Sequence, residues 1–405
     1  MTNKEIVFIG KEQLIENIKI LLYKEDSNIF DTIDFEDDNI YQEPLLFAYF
    51  NSKKSDISIL HTVLYGYMNF EAQKKEIIVE SDENGRIYLP NMGWLITDRT
   101  AQNFKLFKDE HNKIRLFCND VESEYKLEPI EKIKNTNIEY LKYSIPLLKK
   151  YYYDVDNNLV DVEIENISKK HIQNVTKALN LIKQFAPKHF DLISLITKKI
   201  AVFNVEVYLR DSFATLSAHG ISFSNAYQKE YSEVFFIDDI AHQSGHVIFN
   251  VLTCDLPNFI KIDPNTILES LELGNNTTDT RNIHVIFHAL YTYYTTFICL
   301  DSCLDAKVFD AKRTHEALGR LYFYIGKCYK DLMLVETANI NNTLVDIKDI
   351  FTENGLEIYF EIKNKFDFIK EKWIENLNSF NMTNQPYNFT YSKFVELNPL
   401  DENNN

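Results

Sequence analysis

The chain has 405 residues, 45% hydrophobic and 14% aromatic, and a formal net charge of −17. With only 10 Gly and 9 Pro, this composition excludes extensive disorder and supplies a sizeable core. The acidic balance, with no basic stripe anywhere, excludes nucleic acid as a partner.

Five cysteines form no CxxC pair, which reads as reduced thiols. The N-terminus MTNKEIVFIGKEQLIENIKILLYKED has no basic region followed by a clean apolar run. No window of about twenty apolar residues is evident, so a cytoplasmic protein that engages no membrane is expected.

In chain order, KEQLIENIKILLYK has apolar residues at helical spacing, as does PLLFAYF through ISILHTVLYGYMNF. The stretch KKEIIVESDENGRIYLP reads as a hairpin turning at ENGR, and NFKLFKDEHNKIRLFC repeats strand–turn–strand. Ser168 is a candidate N-cap for KKHIQNVTKALNLIKQF, which Pro187 ends or kinks. Residues 200–209 and 214–225 read as strands, and VFFIDDIAHQSGHVIFNVLTC as a helix.

The loop from Asp255 to Arg281, containing NNTTDT, is expected to be polar and mobile, and the DENNN tail disordered. Three long helices then follow, beginning near Asn282, His315 and Gly355. The fold class expected is α+β: residues 1–160 a mixed region with β-hairpins, and 161–400 a mainly helical metal-binding body with a zincin-like metal helix. The charge-poor stretch 44–70 would bind part of a peptide by strand addition, if it does more than pack.

The chemistry concentrates in two histidine pairs, His242/His246 and His284/His288, each spaced i,i+4. Neither 240–254 nor 282–300 contains a charged side chain, so both helices are expected to be buried on most sides. On a helical wheel Ile240, Val247, Ile248 and Val251 share one face, with His242 and His246 opposite. Likewise Ile286, Leu290, Tyr293 and Phe297 oppose His284, His288, Tyr291, Thr295 and Ser302. Two such helices suggest a shared polar cavity.

Helical i,i+4 histidines can reach one divalent ion, with a third ligand from another helix. A zinc hydrolase of the HExxH kind needs Glu after the first histidine to deprotonate the metal-bound water. Gln243 stands there and cannot accept that proton. Oxidative chemistry at Fe(II) has no such need; it requires three ligands, open positions and a cationic anchor for a keto acid.

HQSGH, followed after a long loop by RNIHVIFHALYTYY, resembles the 2-oxoglutarate-dependent HExxH-type peptide β-hydroxylases that accompany ribosomally made peptide natural products. The resemblance covers roughly 200–340. It implies His242, His246 and His288 as Fe(II) ligands, Arg281 as the 2-oxoglutarate anchor, Tyr291 as the family tyrosine, and a ribosomal precursor peptide as substrate.

The sequence departs from that pattern at Gln243 for Glu, Asn282 for Pro, and Val285 and Ala289 for Gly. His284 therefore stays an alternative third ligand, and Arg210, Arg313 and Arg320 alternative anchors, with Glu316 as a candidate ion-pair partner for Arg320. His219, in ATLSAHGISFSN, would line the substrate channel. The rival reading is a degenerate zincin-like peptidase that lost its base and acts as a metal- or peptide-binding protein.

Overall fold

The computed structural model describes residues 3–52, 56–274 and 277–400. The protein is α+β, with a strand-rich N-terminal region and a mainly helical C-terminal half. It divides into two compact units that interleave along the chain: one formed by 1–10, 173–195 and 228–405, the other by 11–172 and 196–227.

The strand-rich unit begins in α1 (Asn3–Glu25), whose first residues belong to the helical unit. It continues through α2 (Asp38–Tyr41), α3 (Pro44–Phe50), α4 (Ile57–Leu64) and α5 (Phe70–Gln73). Each of α2 to α5 opens on an Asp, Glu or Asn whose side chain accepts a backbone N–H of the first turn.

Strands β1 (Ile77–Glu80), β2 (Arg86–Leu89), β3 (Gly93–Ile96), β4 (Asn103–Lys108), β5 (Ile114–Cys118), β6 (Val121–Glu122) and β7 (Lys126–Pro129) build two antiparallel sheets. Their orders are β1-β4-β5-β6 and β2-β3-β7.

The hairpin expected at ENGR is therefore not a hairpin. The turn forms, with Gly85 at φ 75° and the Asp82 carboxylate accepting the Asn84 and Arg86 amides at 2.8 and 2.9 Å. Its two flanking strands, however, pair with β4 and β3 in different sheets. The second candidate, β4–β5, is a true hairpin.

A three-stranded parallel sheet completes this unit: β8 (Glu139–Leu141), β9 (Lys199–Phe203) and β10 (Ile221–Asn225), in the order β10-β9-β8. Every residue of β9 and β10 is buried, as continuous strands in parallel sheets usually are. The strands expected over 200–209 and 214–225 are thus shorter, because Asn204 onward and a 3-10 turn at Leu216–Ala218 leave the sheet.

At the end of this sheet Lys199, 3% exposed, sits 2.6 Å from Glu139 Oε2 and 3.1 Å from Glu43 Oε2. Its ammonium also donates to the Tyr88 hydroxyl at 2.9 Å. A buried lysine is tolerated here because two carboxylates surround it.

Between the strand segments run α6 (Glu165–Phe185) and α7 (Pro187–Ile196). Ser168 does not cap α6: the helix starts one turn earlier, and Glu163 accepts the Asn166 amide at 2.8 Å. Ser168 instead donates within the helix to the Glu165 carbonyl at 3.0 Å. Pro187 does open a new helix, where its missing N–H has no partner to lose.

The helical unit is built on α8 (Glu233–Leu252), α9 (Ile283–Asp305), α10 (Ala311–Glu336) and α12 (Glu353–Leu377), with α11 (Ile347–Ile350) and α13 (Tyr391–Leu397) as short additions. The segment expected to be a mobile loop before α9 contains an antiparallel ribbon, β11 (Ile267–Gly274) with β12 (Thr277–Asn282). Asn275 and Asn276 of NNTTDT lie outside the described residues, as does DENNN. A second small ribbon pairs β13 (Asn339–Ile340) with β14 (Thr343–Leu344).

Against the expectation that no such window exists, α9 is long and apolar enough to cross a membrane by length and composition. Here most of its residues are buried, and α8, α10 and α12 pack on it.

Two histidines show how burial couples this fold to pH. His189 in α7 and His219 before β10 are buried, and burial pushes each imidazole down to about 4. The unfolded chain protonates them near the ordinary value of about 6.5, while the folded chain resists until about 4. Stability from each is complete above pH 6.5 and lost as pH falls through that window, by up to roughly 3 kcal/mol per residue. Urea unfolding at pH 7.5 and pH 4.5 is expected to show a smaller acid loss for His189→Gln than for the unaltered chain. Equal losses would mean that His189 is not a buried neutral imidazole.

Candidate metal centre

The charge-free stretch of α8 is buried almost throughout. From Ile240 to Leu252 only His242, His246 and Asn250 are partly accessible, an i, i+4, i+8 stripe. On α9 the corresponding openings include His284 and His288. Tyr291 and Thr295, which share that side on a helical wheel, are sealed.

The two stripes can meet because α8 and α9 approach closely at Gly245. A Cβ there would lie 2.5 Å from Thr295 Oγ1 and 3.2 Å from Thr292 Cα. The Thr295 hydroxyl, within hydrogen-bond reach of the Ala241 carbonyl at 2.9 Å, ties the helices at the same point. Glycine inside a helix costs roughly 1 kcal/mol against alanine, so this glycine is kept for contact.

His246 Nδ1 then lies 2.9 Å from His288 Nε2, one ring donating its N–H to the other with the tautomer setting the direction. His242 sits edge-on to His246, ring centroids 5.0 Å apart, and its Nδ1 is buried without a hydrogen-bond partner. Phe249 stacks on His288 at 4.5 Å and fixes that ring. His284 is one turn away, 5.7 Å from His288 by ring centroids. Of the two candidates on α9, His288 is the one that meets a histidine of α8, while His284 faces Phe249 with ring centroids 6.1 Å apart.

Burial pushes the His242 and His288 imidazoles well below their ordinary value, reinforced by His246, and brings His246 down to about 4. At neutral pH all three are uncharged, the form that binds a metal. With metal–nitrogen bonds of about 2.0–2.1 Å, two nitrogens at right angles around one ion lie about 2.9 Å apart. The His246–His288 separation fits that pair. Among the described residues, however, no group of three or more His, Cys, Asp or Glu side chains is closed around one point. A three-histidine set therefore requires the His242 ring to turn toward the other two.

Two tyrosines flank His242: Tyr293, whose spacing with Phe297 reads as core, and Tyr324, which no motif in the sequence marks. Tyr324 stacks on the His242 ring at 5.5 Å and Tyr293 lies at 6.1 Å. Each tyrosine lies beside a buried carboxylate: Tyr324 beside Asp238, and Tyr293 beside Asp331. Each carboxylate in turn faces an arginine. Asp331 meets Arg281 at 2.5 Å, and Asp238 meets Arg320 at 2.9 Å. Burial raises both carboxyl groups above the usual range despite the arginines.

The candidate anchors are thus differently placed. Arg281, carried by β12, donates from its guanidinium to Asp331 with Tyr293 nearby, and its Nε has no hydrogen-bond partner. Asn282 replaces the proline of the resembled pattern by capping α9: its side chain accepts the Val285 amide at 2.8 Å.

Arg320, 3% exposed, is held by Glu316 at 2.8 Å as well as by Asp238. Arg313 faces Glu233 at 3.0 Å and also Asp310. Tyr291 is buried against Phe249 at 5.5 Å. Gln243 is buried on a different face from the histidine stripe, its Oε1 without a partner. His219 and Arg210 belong to the strand-rich unit, where His219 packs on Phe47 at 5.3 Å.

Two variants probe this arrangement. Gly245→Ala gains roughly 1 kcal/mol of helix propensity but overpacks the α8–α9 contact by roughly 1–3 kcal/mol. A net loss of melting temperature is expected, smaller in a Thr295→Ala background; additive losses would sink the contact argument. Arg320→Ala leaves Asp238 and Glu316 buried without their arginine cation, so a loss of roughly 3–5 kcal/mol is expected in urea unfolding. A near-neutral effect would release Arg320 for ligand binding.

The chain matches no protein-family model and no curated protein.

Proposed function

We propose that this protein is an Fe(II)- and 2-oxoglutarate-dependent oxygenase that hydroxylates a side chain, at its β-carbon, in a ribosomally made precursor peptide. The observation that carries the metal reading is the pairing of His246 with His288 at 2.9 Å, with His242 beside them on the one accessible stripe of α8. Gln243 supports an oxygenase over a hydrolase: an amide takes no proton from water, and here it is buried away from that stripe.

In this reading His242, His246 and His288 hold the iron as neutral imidazoles. When bound, the iron with 2-oxoglutarate and dioxygen would supply the oxidant for C–H hydroxylation, one oxygen atom entering the product and the other succinate, with carbon dioxide released. Arg281 binds the co-substrate carboxylate, since Asp331 engages only part of its guanidinium and Nε is unused. Tyr293 links that arginine to the His242 ring. Phe249 and Tyr324 wall the histidines and limit water.

Anaerobically purified protein is expected to bind one equivalent of iron and to turn 2-oxoglutarate into succinate. His288→Ala abolishes iron retention and His284→Ala largely preserves it. Arg281→Ala raises the 2-oxoglutarate concentration needed at least tenfold with iron still bound. Zinc without turnover would favour the degenerate peptidase, and no stoichiometric metal would overturn both readings.

A further inference from the structure

We infer that Arg210, in the strand-rich unit, is a recognition site for a carboxylate. Arg86, Arg115, Arg281, Arg313 and Arg320 each face at least one carboxylate of the chain itself. Arg99 and Arg210 have no ion-pair partner among the described residues, in a chain with 60 acidic residues, and of the two Arg210 is the one packed against aromatic rings. Arg210 is thus not a loose surface cation.

The Arg210 guanidinium is sandwiched between two aromatic rings, its carbon 4.2 Å from the Tyr153 centroid and 4.0 Å from that of Phe213. Phe213 is itself backed by Phe223 of β10, stacked at 4.3 Å with 9° between planes. The backbone that carries Arg210 is held as firmly. Asn225, 1% exposed, donates from Nδ2 to the Val205 and Arg210 carbonyls at 2.9 and 2.7 Å. Its own amide donates to the Ser212 hydroxyl at 2.9 Å.

The two rings satisfy only the faces of the guanidinium. Its in-plane N–H groups, which match a carboxylate through two parallel hydrogen bonds, are left unused. Nε is buried with no hydrogen-bond partner, and the terminal nitrogens make no hydrogen bond to the described residues. A cation fixed by rings and backbone yet withheld from the chain's own acids is organised for an outside anion. The planar fork selects a carboxylate, from either a small dicarboxylate or the acidic side chain of a peptide. This inference does not rest on the metal reading.

The test is calorimetric titration of the full chain with succinate and, separately, with an acetylated and amidated pentapeptide containing one Glu. Phenanthroline replaces EDTA as chelator, because EDTA carboxylates would compete. Saturable binding of at least one probe is expected, at least tenfold weaker in Arg210→Gln and also weaker in Arg210→Lys, which keeps the charge but loses the fork. Arg99→Gln should bind as the unaltered chain does.

Binding of succinate alone identifies a small-molecule site, and binding of the peptide alone a side-chain site; both outcomes support the inference. Should Arg210→Gln fail to fold by circular dichroism, Arg210→Lys carries the comparison. Binding of neither probe, or binding unchanged by the Arg210 variants that fold, overturns it.

Discussion

The contact of Gly245 with Thr292 and Thr295 is the constraint on which the histidine cluster depends. A helix packed through larger side chains would hold its partner about 8–10 Å away. Removing the side chain at this one point, one residue before His246, lets α9 close on α8. His288 then comes within hydrogen-bond reach of His246, and Phe249 stacks against it. Because the helices are that close, almost nothing between Ile240 and Leu252 stays accessible, and a charge there would be buried unpaired. The charge-free sequence and the glycine are two consequences of one packing decision.

At several buried points charge is neutralised locally, and the same logic recurs. Lys199 lies between Glu43 and Glu139, and Arg320 between Asp238 and Glu316. Asp301 of α9 accepts from Lys365, Lys372 and the Trp373 indole of α12 at 2.7–2.9 Å. Such groups are poor sources of net stability, yet removing one partner is expensive, so they fix which helices may pair. Arg320 illustrates the consequence for function. Two buried carboxylates already occupy it, and an incoming anion would have to displace one of them.

Helices were legible in the sequence because their signal is local: apolar period located α1, α6 and the long C-terminal helices, although Ser168 misplaced the start of α6 and α7 was not anticipated. Strand partnership was not. The ENGR turn chemistry is correct for the turn, but β1 and β2 find partners at Asn103–Lys108 and Gly93–Ile96, which no local pattern encodes. The histidine spacing was likewise legible, while the surroundings were not. Tyr293 reads as core because it shares a face with Phe297, and Asp331 stands fifty residues from Arg281. Polar character alone made 255–281 look like a loop, since the alternation within β11 is weak.

That misread segment bears most directly on the candidate site. In sequence, HQSGH and RNIHVIFH are separated by a stretch that looks like spare length. In the fold the stretch returns as a ribbon whose second strand ends at Asn282, and Asn282 is at once the last residue of β12 and the cap of α9. No slack separates strand from helix. Backbone bonds from Ile283 to Thr266 and from His284 to Pro264, both 3.0 Å, clamp the junction. Arg281 is consequently held at a fixed offset from His284 and His288 while it reaches Asp331 on α10. The polar ribbon thus determines where the charged group stands relative to the histidines, which the apolar helices alone cannot do.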